Sequence, residues 1–163
     1  MNKYILSCFI SKINKQYIMK RKATAVWKGS GSEGSGILNG PSKVLDETPY
    51  SASRRFKNED GKAGTNPEEL IAAAHAGCYA MALSFALSGE GYTAEKLDVT
   101  ATVTLDKIEG GFEISSIDLD LKGKVDGISE DEFKKLAEGA KKGCPVSKAL
   151  SAVPITLDIE FKK

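Results

Sequence analysis

Two cysteines are the side chains of this chain whose type and setting best suit covalent chemistry. Cys78 lies in a run of helix-forming residues, and Cys144 stands 66 positions later, between Gly143 and Pro145. A thiol reacts as its thiolate, and its pKa of about 8.5 must be lowered by a cation or by a helix N-terminus. Such a pair could provide one thiol that attacks an oxidant and a second that resolves the product. For each cysteine, the alternative is an inert side chain in the core.

The two thiols differ in what could activate them. Pro145 favours the first position of a helix, so the free N–H groups of that helix would point at the sulfur of Cys144. Cys78 lies about ten residues into its own predicted helix, where the helix dipole no longer helps. Its cation must come from elsewhere, and Arg54 and Arg55 are the candidates. An arginine stays protonated and could hold both a thiolate and a peroxide oxygen if a carboxylate orients it.

His75, the only histidine, lies three residues before Cys78 and would neighbour it on a helix surface. It could act as a base, as in cysteine hydrolases, although a satisfied histidine in the core or at an interface is the interpretation we favour. The chain has no CxxC motif, and two distant thiols fall short of the four ligands that structural zinc usually takes. We therefore predict no metal site.

The elements that must position these side chains begin with strands. Short antiparallel strands are predicted over residues 23–27 and 37–45, and a polar connection follows over residues 49–65. This connection is long enough to be functional, and it carries both candidate arginines.

A long helix is predicted after this connection. Thr65 or Asn66 can cap it, Pro67 suits its first position, and two glutamates follow at the positive end of its dipole. Small and apolar residues then continue to about Ser88. Because so little of its surface is polar, we expect a central helix that is buried on most sides and that another backbone can approach closely.

A β-hairpin is predicted next. Apolar residues alternate strictly over residues 97–105, and the alternation resumes at Phe112 after a glycine-rich turn. The phase then slips by one residue before Ile117. This slip predicts a β-bulge near Ser115 and Ser116.

A second helix and a last strand complete the predicted fold. Ser129 and Glu132 form the pattern of a capping box, and Gly143 would end the helix. Its predicted inner face consists of Phe133, Leu136, Ala137 and Ala140. A short helical turn from Cys144 and a strand over residues 155–161 follow. The fold class is α+β, with antiparallel sheets wrapped around a central apolar helix.

Composition excludes several classes of protein. With 41% hydrophobic residues, 28% charged residues and a net charge of +1, the chain predicts one soluble domain with no electrostatic footprint for nucleic acid. We also expect no apolar run that approaches the length of about 20 residues needed to span a membrane. Three widely spaced cysteines do not resemble the disulfide framework of a secreted domain, so we expect the cytoplasm.

Residues 1–18 are predicted to form an N-terminal extension ahead of a more natural start at Met19. The apolar stretch before Cys8 is too short for a signal-peptide core, and no small-residue cleavage pattern follows it. Cys8 would then be incidental, and the functional domain would cover residues 19–163.

Two motifs resemble a known family. The run from Thr65 to Cys78, TNPEELIAAAHAGC, and GCPVS at residues 143–147 resemble the OsmC/Ohr family of osmotically inducible and organic hydroperoxide resistance proteins, most closely its OsmC branch. The similarity covers residues 19–163. It implies an OsmC-like fold and a thiol-dependent peroxidase of oxidative and osmotic stress defence. Organic hydroperoxides would be preferred to hydrogen peroxide.

The resemblance also implies roles for four residues. Cys78 matches the peroxidatic cysteine, which becomes a sulfenic acid, and Cys144 matches the resolving cysteine, which condenses with it to an intramolecular disulfide. Arg55 matches the activating arginine, and Glu68 matches its carboxylate partner. We interpret Arg54 as a solvated charge.

Helix geometry restricts how these residues could meet. If Glu68 and Cys78 share one helix, they lie about 15 Å apart along its axis, too far for one arginine to touch both within a chain. The site should therefore be built from two subunits, and the family's intertwined homodimer with shared active sites fits that expectation. The resemblance further implies dithiol reductants, notably protein-bound dihydrolipoyl groups, and no metal, haem or flavin cofactor.

Two other classes of function stay open. A redox-sensing or ligand-binding protein would form the disulfide but turn peroxide over slowly. In a structural interaction protein, Cys78→Ser would change nothing but stability.

Overall fold

The computed structural model describes residues 18–57 and 64–162. In this part of the chain it has six strands in two three-stranded sheets and four helices, which confirms the α+β class. The chain divides into two compact units, one up to Ala52 and one from Ser53 onward, and each is described by itself. Most of the predicted extension over residues 1–18, including Cys8, lies outside the described residues. The domain boundary at Met19 stays a prediction.

The first unit is a three-stranded antiparallel sheet of β1 (Thr24–Lys28), β2 (Ser35–Asn39) and β3 (Thr48–Ser51). The strand predicted over residues 37–45 ends early at Asn39, because the chain turns at Gly40, whose carbonyl accepts the N–H of Lys43 at 3.0 Å. β3 lies in the stretch that was predicted to be a connection.

The polar composition of residues 49–65 favoured a connection, yet the chain forms β3 even with Pro49 inside it. β3 lies at the edge of its sheet, where a missing N–H costs no ladder hydrogen bond. The second element missed in this stretch is the short helix α1 (Ala52–Phe56), which carries Arg54 and Arg55. Residues 58–63 of the predicted connection lie outside the described residues.

The long helix α2 runs over Pro67–Gly89, as predicted. Of the two candidate caps, Asn66 is the one used: its side-chain Oδ1 accepts a hydrogen bond from the N–H of Glu69 at 2.8 Å. Thr65 instead donates its hydroxyl to the Glu69 carboxylate at 2.6 Å. The predicted helix start is therefore confirmed, because capping depends only on neighbouring residues.

Only one face of α2 is buried within the chain, whereas the sequence predicted burial on most sides. The buried residues recur every fourth position: His75, Tyr79, Leu83 and Leu87. Another face carries Met81 and Phe85, which are 62% and 73% exposed. α2 has 23 residues, and an 18-residue window within it has a mean hydropathy of 1.7, so by length and composition alone it could cross a membrane. The expectation that no apolar run approaches that length is wrong, although Tyr79, Leu83 and Leu87 belong to the core.

The second sheet has the order β4 (Ala94–Ile108), β5 (Gly111–Val125) and β6 (Ile155–Lys162). β4 and β5 form the predicted hairpin. Thr104 lies opposite Ser116 and Leu105 opposite Ile114, so Ser115 is the extra residue of the predicted bulge. β6 pairs with β5 in parallel, so this sheet is mixed and not wholly antiparallel. Two helices separate these strands in sequence, and such a crossover permits parallel pairing.

The two helices are α3 (Glu130–Gly143) and α4 (Pro145–Ala149). Ser129 caps α3 by accepting the N–H of Glu132 at 3.2 Å. The Glu132 carboxylate accepts the hydroxyl of Tyr92 at 3.1 Å, which supports β4 and α2 against α3. The inner face of α3 is close to the prediction, with Phe133, Ala137 and Ala140 buried and Leu136 partly buried.

The core of the second unit joins α2 to the sheet and to α3. Tyr79, Leu83 and Leu87 of α2 share one cluster with Leu119 and Leu121 of β5, and Phe133 and Ala137 of α3 complete it. Cys144 belongs to the same cluster. This packing sets the middle of α2 beside the start of α4.

Candidate active site

Cys78 is the twelfth residue of α2, one position before the buried Tyr79. Its side chain is partly buried and packs against the core cluster. A small solute can therefore reach this sulfur from the surface, while most of its surroundings are apolar.

Cys144 lies between α3 and α4 and is fully buried. It ends α3, where its N–H bonds to the carbonyl of Ala140 at 2.8 Å, and it is also the N-cap of α4. Pro145 stands at the first position of α4, as predicted. The free N–H groups at the start of this helix are those of Val146 and Ser147, and both lower the pKa of Cys144.

The fold brings the two thiols within hydrogen-bonding reach of each other. Both are free cysteines. The contact between α2 and the α3–α4 junction therefore closes the 66 positions that separate them in sequence.

The surroundings shift the pKa values of the two thiols in opposite directions. Burial is the largest influence on Cys78 and raises its pKa; the N–H of Val146 lowers it, and the neighbouring Cys144 raises it further. Burial is also the largest single influence on Cys144, but it is outweighed. Hydrogen bonds from the N–H of Ser147, the Cys78 thiol, the Ser147 hydroxyl and the N–H of Val146 bring the pKa of Cys144 below its ordinary value.

Arg55 and Glu68 form a two-point ion pair. The Nε of Arg55 donates to one carboxylate oxygen at 3.1 Å and its Nη2 donates to the other at 2.5 Å. The Glu68 side chain is 13% exposed, and the Arg55 side chain is 32% exposed. Paired N–H donors on a carboxylate fix the plane of the guanidinium, which is the orientation expected of an activating arginine.

Aromatic rings adjoin this ion pair. The guanidinium carbon of Arg55 lies 5.1 Å from the ring centroid of Phe56. Phe56 stacks on Phe112 of β5 with ring centroids 4.8 Å apart, and both rings are about half exposed. A charged donor and an open apolar surface therefore lie side by side.

The structure brings the four predicted residues together as two pairs and not as one cluster. Glu68 and Cys78 share α2 at ten positions' separation, or about 15 Å along the axis. Among the described residues, no arginine shifts the pKa of Cys78. Arg54, predicted to be a solvated charge, is partly buried in α1, and it is Arg55 that pairs with Glu68.

His75 is fully buried, and its Nε2 lies 2.8 Å from the Oγ of Ser147. Its Nδ1 is buried with no hydrogen-bond partner. Burial lowers the pKa of His75, which keeps the ring neutral. The predicted core location is right, but the histidine is only half satisfied.

Ser147 was missed as a site residue. It is buried, touches both His75 and Cys144, and lies on α4 three residues after the cysteine. The signal available was its place in the GCPVS motif, since a polar residue three positions into a helix can face the N-cap side chain. Among the described residues, no three His, Cys, Asp or Glu side chains gather as a metal-binding group.

The amino-acid sequence of this chain is similar to those of known proteins. The family model described as OsmC-like protein matches residues 59–160. The peroxiredoxin OsmC of Escherichia coli (strain K12) is 45% identical over 142 residues, which cover 87% of this chain and 96% of the relative. The organic hydroperoxide resistance protein OhrA of Bacillus subtilis (strain 168) is 34% identical over 132 residues, with 79% and 89% covered.

The fold of this chain is also similar to that of a solved structure. The crystal structure of the organic hydroperoxide resistance protein OhrB of Bacillus subtilis matches with a TM-score of 0.60 and 26% identity. The match covers 86% of this chain and 98% of that one. The α+β arrangement described above is thus the fold of this group of proteins.

Proposed function

Since this chain belongs to the OsmC-like protein family, we propose that it is a cysteine-based peroxidase that reduces organic hydroperoxides and, less efficiently, hydrogen peroxide. Relatives named peroxiredoxin and organic hydroperoxide resistance protein support a peroxidase-type redox function. The observation that carries the finer proposal is the contact between a partly exposed thiol, Cys78, and a fully buried one, Cys144. Only the exposed thiol can meet a substrate directly.

The proposed first step is attack by the thiolate of Cys78 on the hydroperoxide. An S–O bond forms, the O–O bond breaks, and the alkoxide leaves as an alcohol after taking up one proton. Cys78 becomes a sulfenic acid, which is reversible. Cys144 then attacks the Cys78 sulfur, an S–S bond forms, the S–O bond breaks, and hydroxide leaves as water after protonation.

Burial raises the pKa of Cys78, and among the described residues of the single chain no cation acts on this thiol. The partner's Arg55 is the cation that we propose, held in orientation by its ion pair with a carboxylate. A guanidinium near the sulfur would favour the thiolate and would also bind the peroxide oxygen. Glu68 serves this site by orienting the arginine.

An intertwined homodimer would supply that arginine. The exposed face of α2 carries Met81 and Phe85, together with Ala73 and Gly77, whose small size permits close backbone approach. Large exposed apolar surfaces on a helix of this length mark contact sites. A second copy of the chain would cover this face and complete two shared sites.

The preference for organic hydroperoxides is supported by the ring pair Phe56 and Phe112. These rings adjoin the Arg55 guanidinium, so the hydrocarbon part of a substrate would pack on them while its peroxide oxygens face the charge. A dithiol reductant, in this proposal a protein-bound dihydrolipoyl group, would then open the disulfide. We place the reaction in the cytoplasm, and likeness to OsmC and Ohr proteins indicates a soluble protein.

The test is to treat the reduced protein with cumene hydroperoxide and to map its disulfides by mass spectrometry. We expect a Cys78–Cys144 disulfide in the unaltered protein. In Cys144→Ser we expect no disulfide and a dimedone adduct at Cys78. A Cys8→Ser variant serves as the matched control and should form the disulfide normally. Oxidation that spares Cys78 would overturn the proposal.

A redox sensor with little turnover is the second candidate, since it requires only the contact between Cys78 and Cys144 and no activating arginine. Such a sensor would form the same disulfide. A steady-state assay with a small dithiol and cumene hydroperoxide separates the two. Continuous consumption of the hydroperoxide supports the peroxidase, whereas a single turnover per chain identifies the sensor.

A further inference from the structure

The pair His75 and Ser147 lies behind the two thiols and has no part in the chemistry described so far. The Nε2 of His75 and the Oγ of Ser147 are 2.8 Å apart. His75 is fully buried and Ser147 is 7% exposed. Since the Nδ1 of His75 has no partner, the ring makes one hydrogen bond where it could make two.

The unpartnered Nδ1 decides which nitrogen carries the proton. A buried N–H without an acceptor is rarer in proteins than an acceptor without a donor. The proton of the neutral ring therefore belongs on Nε2, where it is donated to the Ser147 oxygen. Ser147 consequently keeps its own hydroxyl proton for another acceptor.

Cys144 is the N-cap of the helix that carries Ser147, three residues before it, so its sulfur is the acceptor within reach of this hydroxyl. The Ser147 hydroxyl is also among the groups that lower the pKa of Cys144. In this arrangement His75 would donate to Ser147 and Ser147 would donate to Cys144. With the opposite tautomer, the Ser147 proton would go to His75 and the Cys144 sulfur would lose a donor.

We propose that His75 is a positioning residue for the second step of the reaction, acting through Ser147 to hold the Cys144 thiolate ready to attack the sulfenic acid of Cys78. This inference rests on the proposed peroxidase function. The step is balanced as follows: the Cys144 thiolate forms the S–S bond, the Cys78 sulfur loses its hydroxide, and the hydroxide takes up one proton to leave as water. His75 neither gains nor loses a proton overall.

Packing alone does not account for a histidine at this position. The other buried residues of α2 are Tyr79, Leu83 and Leu87, and most of the helix is small or apolar. An apolar side chain would avoid the cost of a buried nitrogen without a partner. The lowered pKa of Cys144, to which the Ser147 hydroxyl contributes, agrees with a role at the resolving thiol.

The experiment separates the two steps in a single turnover with cumene hydroperoxide. Formation of sulfenic acid at Cys78 reports the attack, and formation of the Cys78–Cys144 disulfide reports the resolution. In His75→Leu and Ser147→Ala we expect the rate of attack to be unchanged. The rate of resolution should fall roughly tenfold, the usual cost of losing a hydrogen bond to a charged group. In His75→Gln the side-chain N–H can still reach Ser147, so resolution should return to within about threefold of the unaltered rate.

Several outcomes would overturn the proposal. Resolution at the unaltered rate in His75→Leu and in Ser147→Ala would show that the pair is structural only. Slow resolution in a folded His75→Gln would show that the imidazole transfers a proton and does not merely position Ser147. If His75→Leu does not fold, Ser147→Ala and His75→Gln carry the test. Failure of the proposed function is distinct, since no sulfenic acid would then form at Cys78 in any variant.

Discussion

The guanidinium of Arg55 holds the carboxylate of Glu68 in a two-point ion pair, with N–O distances of 3.1 and 2.5 Å. The pair joins α1 to the first turn of α2. Cys78, the proposed peroxidatic cysteine, lies on the same helix as Glu68 but about 15 Å further along its axis. If Arg55 activates this thiol, the two residues should come from different chains, which the first two predictions test.

Replacing Arg55 should slow attack on the peroxide. In Arg55→Ala we expect the rate of sulfenic acid formation to fall roughly 10- to 100-fold, because a charge-assisted hydrogen bond is lost and the thiolate of Cys78 becomes less favourable. The pH–rate profile should also move to higher pH. Arg54→Ala is the control, since it removes the same charge one residue away. Equal slowing in both variants, or an unmoved profile in Arg55→Ala, would contradict the role of Arg55.

Mixed dimers test whether the site is shared. Cys78→Ser chains should be inactive alone, and Arg55→Ala chains should keep at most about a tenth of the unaltered activity. When they are co-expressed with different tags, roughly a quarter of the unaltered activity should return, because half of randomly assembled dimers are mixed and contain one intact site of two. If Arg55 served the cysteine of its own chain, mixing would restore nothing.

Gly123 is expected to be intolerant of a side chain. A methyl group on it would overlap the Cζ of Phe133 and lie 2.9 Å from the neighbouring ring carbons. The Phe133 ring cannot easily move, because it is fully buried and packs on Phe161 at 4.8 Å. Gly123→Ala should therefore lower the free energy of unfolding by about 1–3 kcal/mol in urea denaturation.

Gly111 provides the matched control for this prediction. It begins the same strand, and a methyl group there meets nothing within 4 Å. Gly111→Ala should change stability by about 0.5 kcal/mol or less. A loss as large as that of Gly123→Ala would show that the strand resists any substitution of glycine, whatever the neighbouring side chain.

Stability should depend on the protonation of His75. Burial lowers the pKa of this residue below 6.5, so between the two pKa values the unfolded chain binds a proton that the folded chain does not. The free energy of unfolding should thus be highest above about pH 6.5. It should fall as the pH decreases towards the pKa of His75 in the folded chain. Urea titrations between about pH 7.5 and about pH 5 measure this change.

The His75→Gln variant is the control for the pH experiment, because it cannot titrate in this range. The chain has no other histidine. The pKa values of Asp98 and Glu160 are lowered from 3.8 and 4.5, so the protonation of these carboxylates affects stability only at a lower pH. We expect the decrease to be absent in His75→Gln. A decrease of the same size in both proteins would assign it to other groups.

Features that depend on neighbouring residues were predicted well. Asn66 caps α2, Cys144 stands at the N-cap of α4, and the bulge lies at Ser115, because capping and side-chain alternation are read within a few positions. β3 and α1 were missed, since Pro49 and a polar composition resemble a loop. The parallel pairing of β6 was also missed, because strand order depends on how the intervening helices pack and not on the strand's own pattern.

The amino-acid sequence by itself determined the reactive residue types, the helix that carries Cys78, the helix start at Cys144 and the likeness to a peroxidase family. Only the tertiary structure decided that Cys78 and Cys144 come together, that Arg55 pairs with Glu68, and that His75 hydrogen-bonds to Ser147. The reason is physical: capping and periodicity are local properties of the backbone, whereas contacts across 66 or 72 positions exist only once the core of α2, α3 and the sheet has packed.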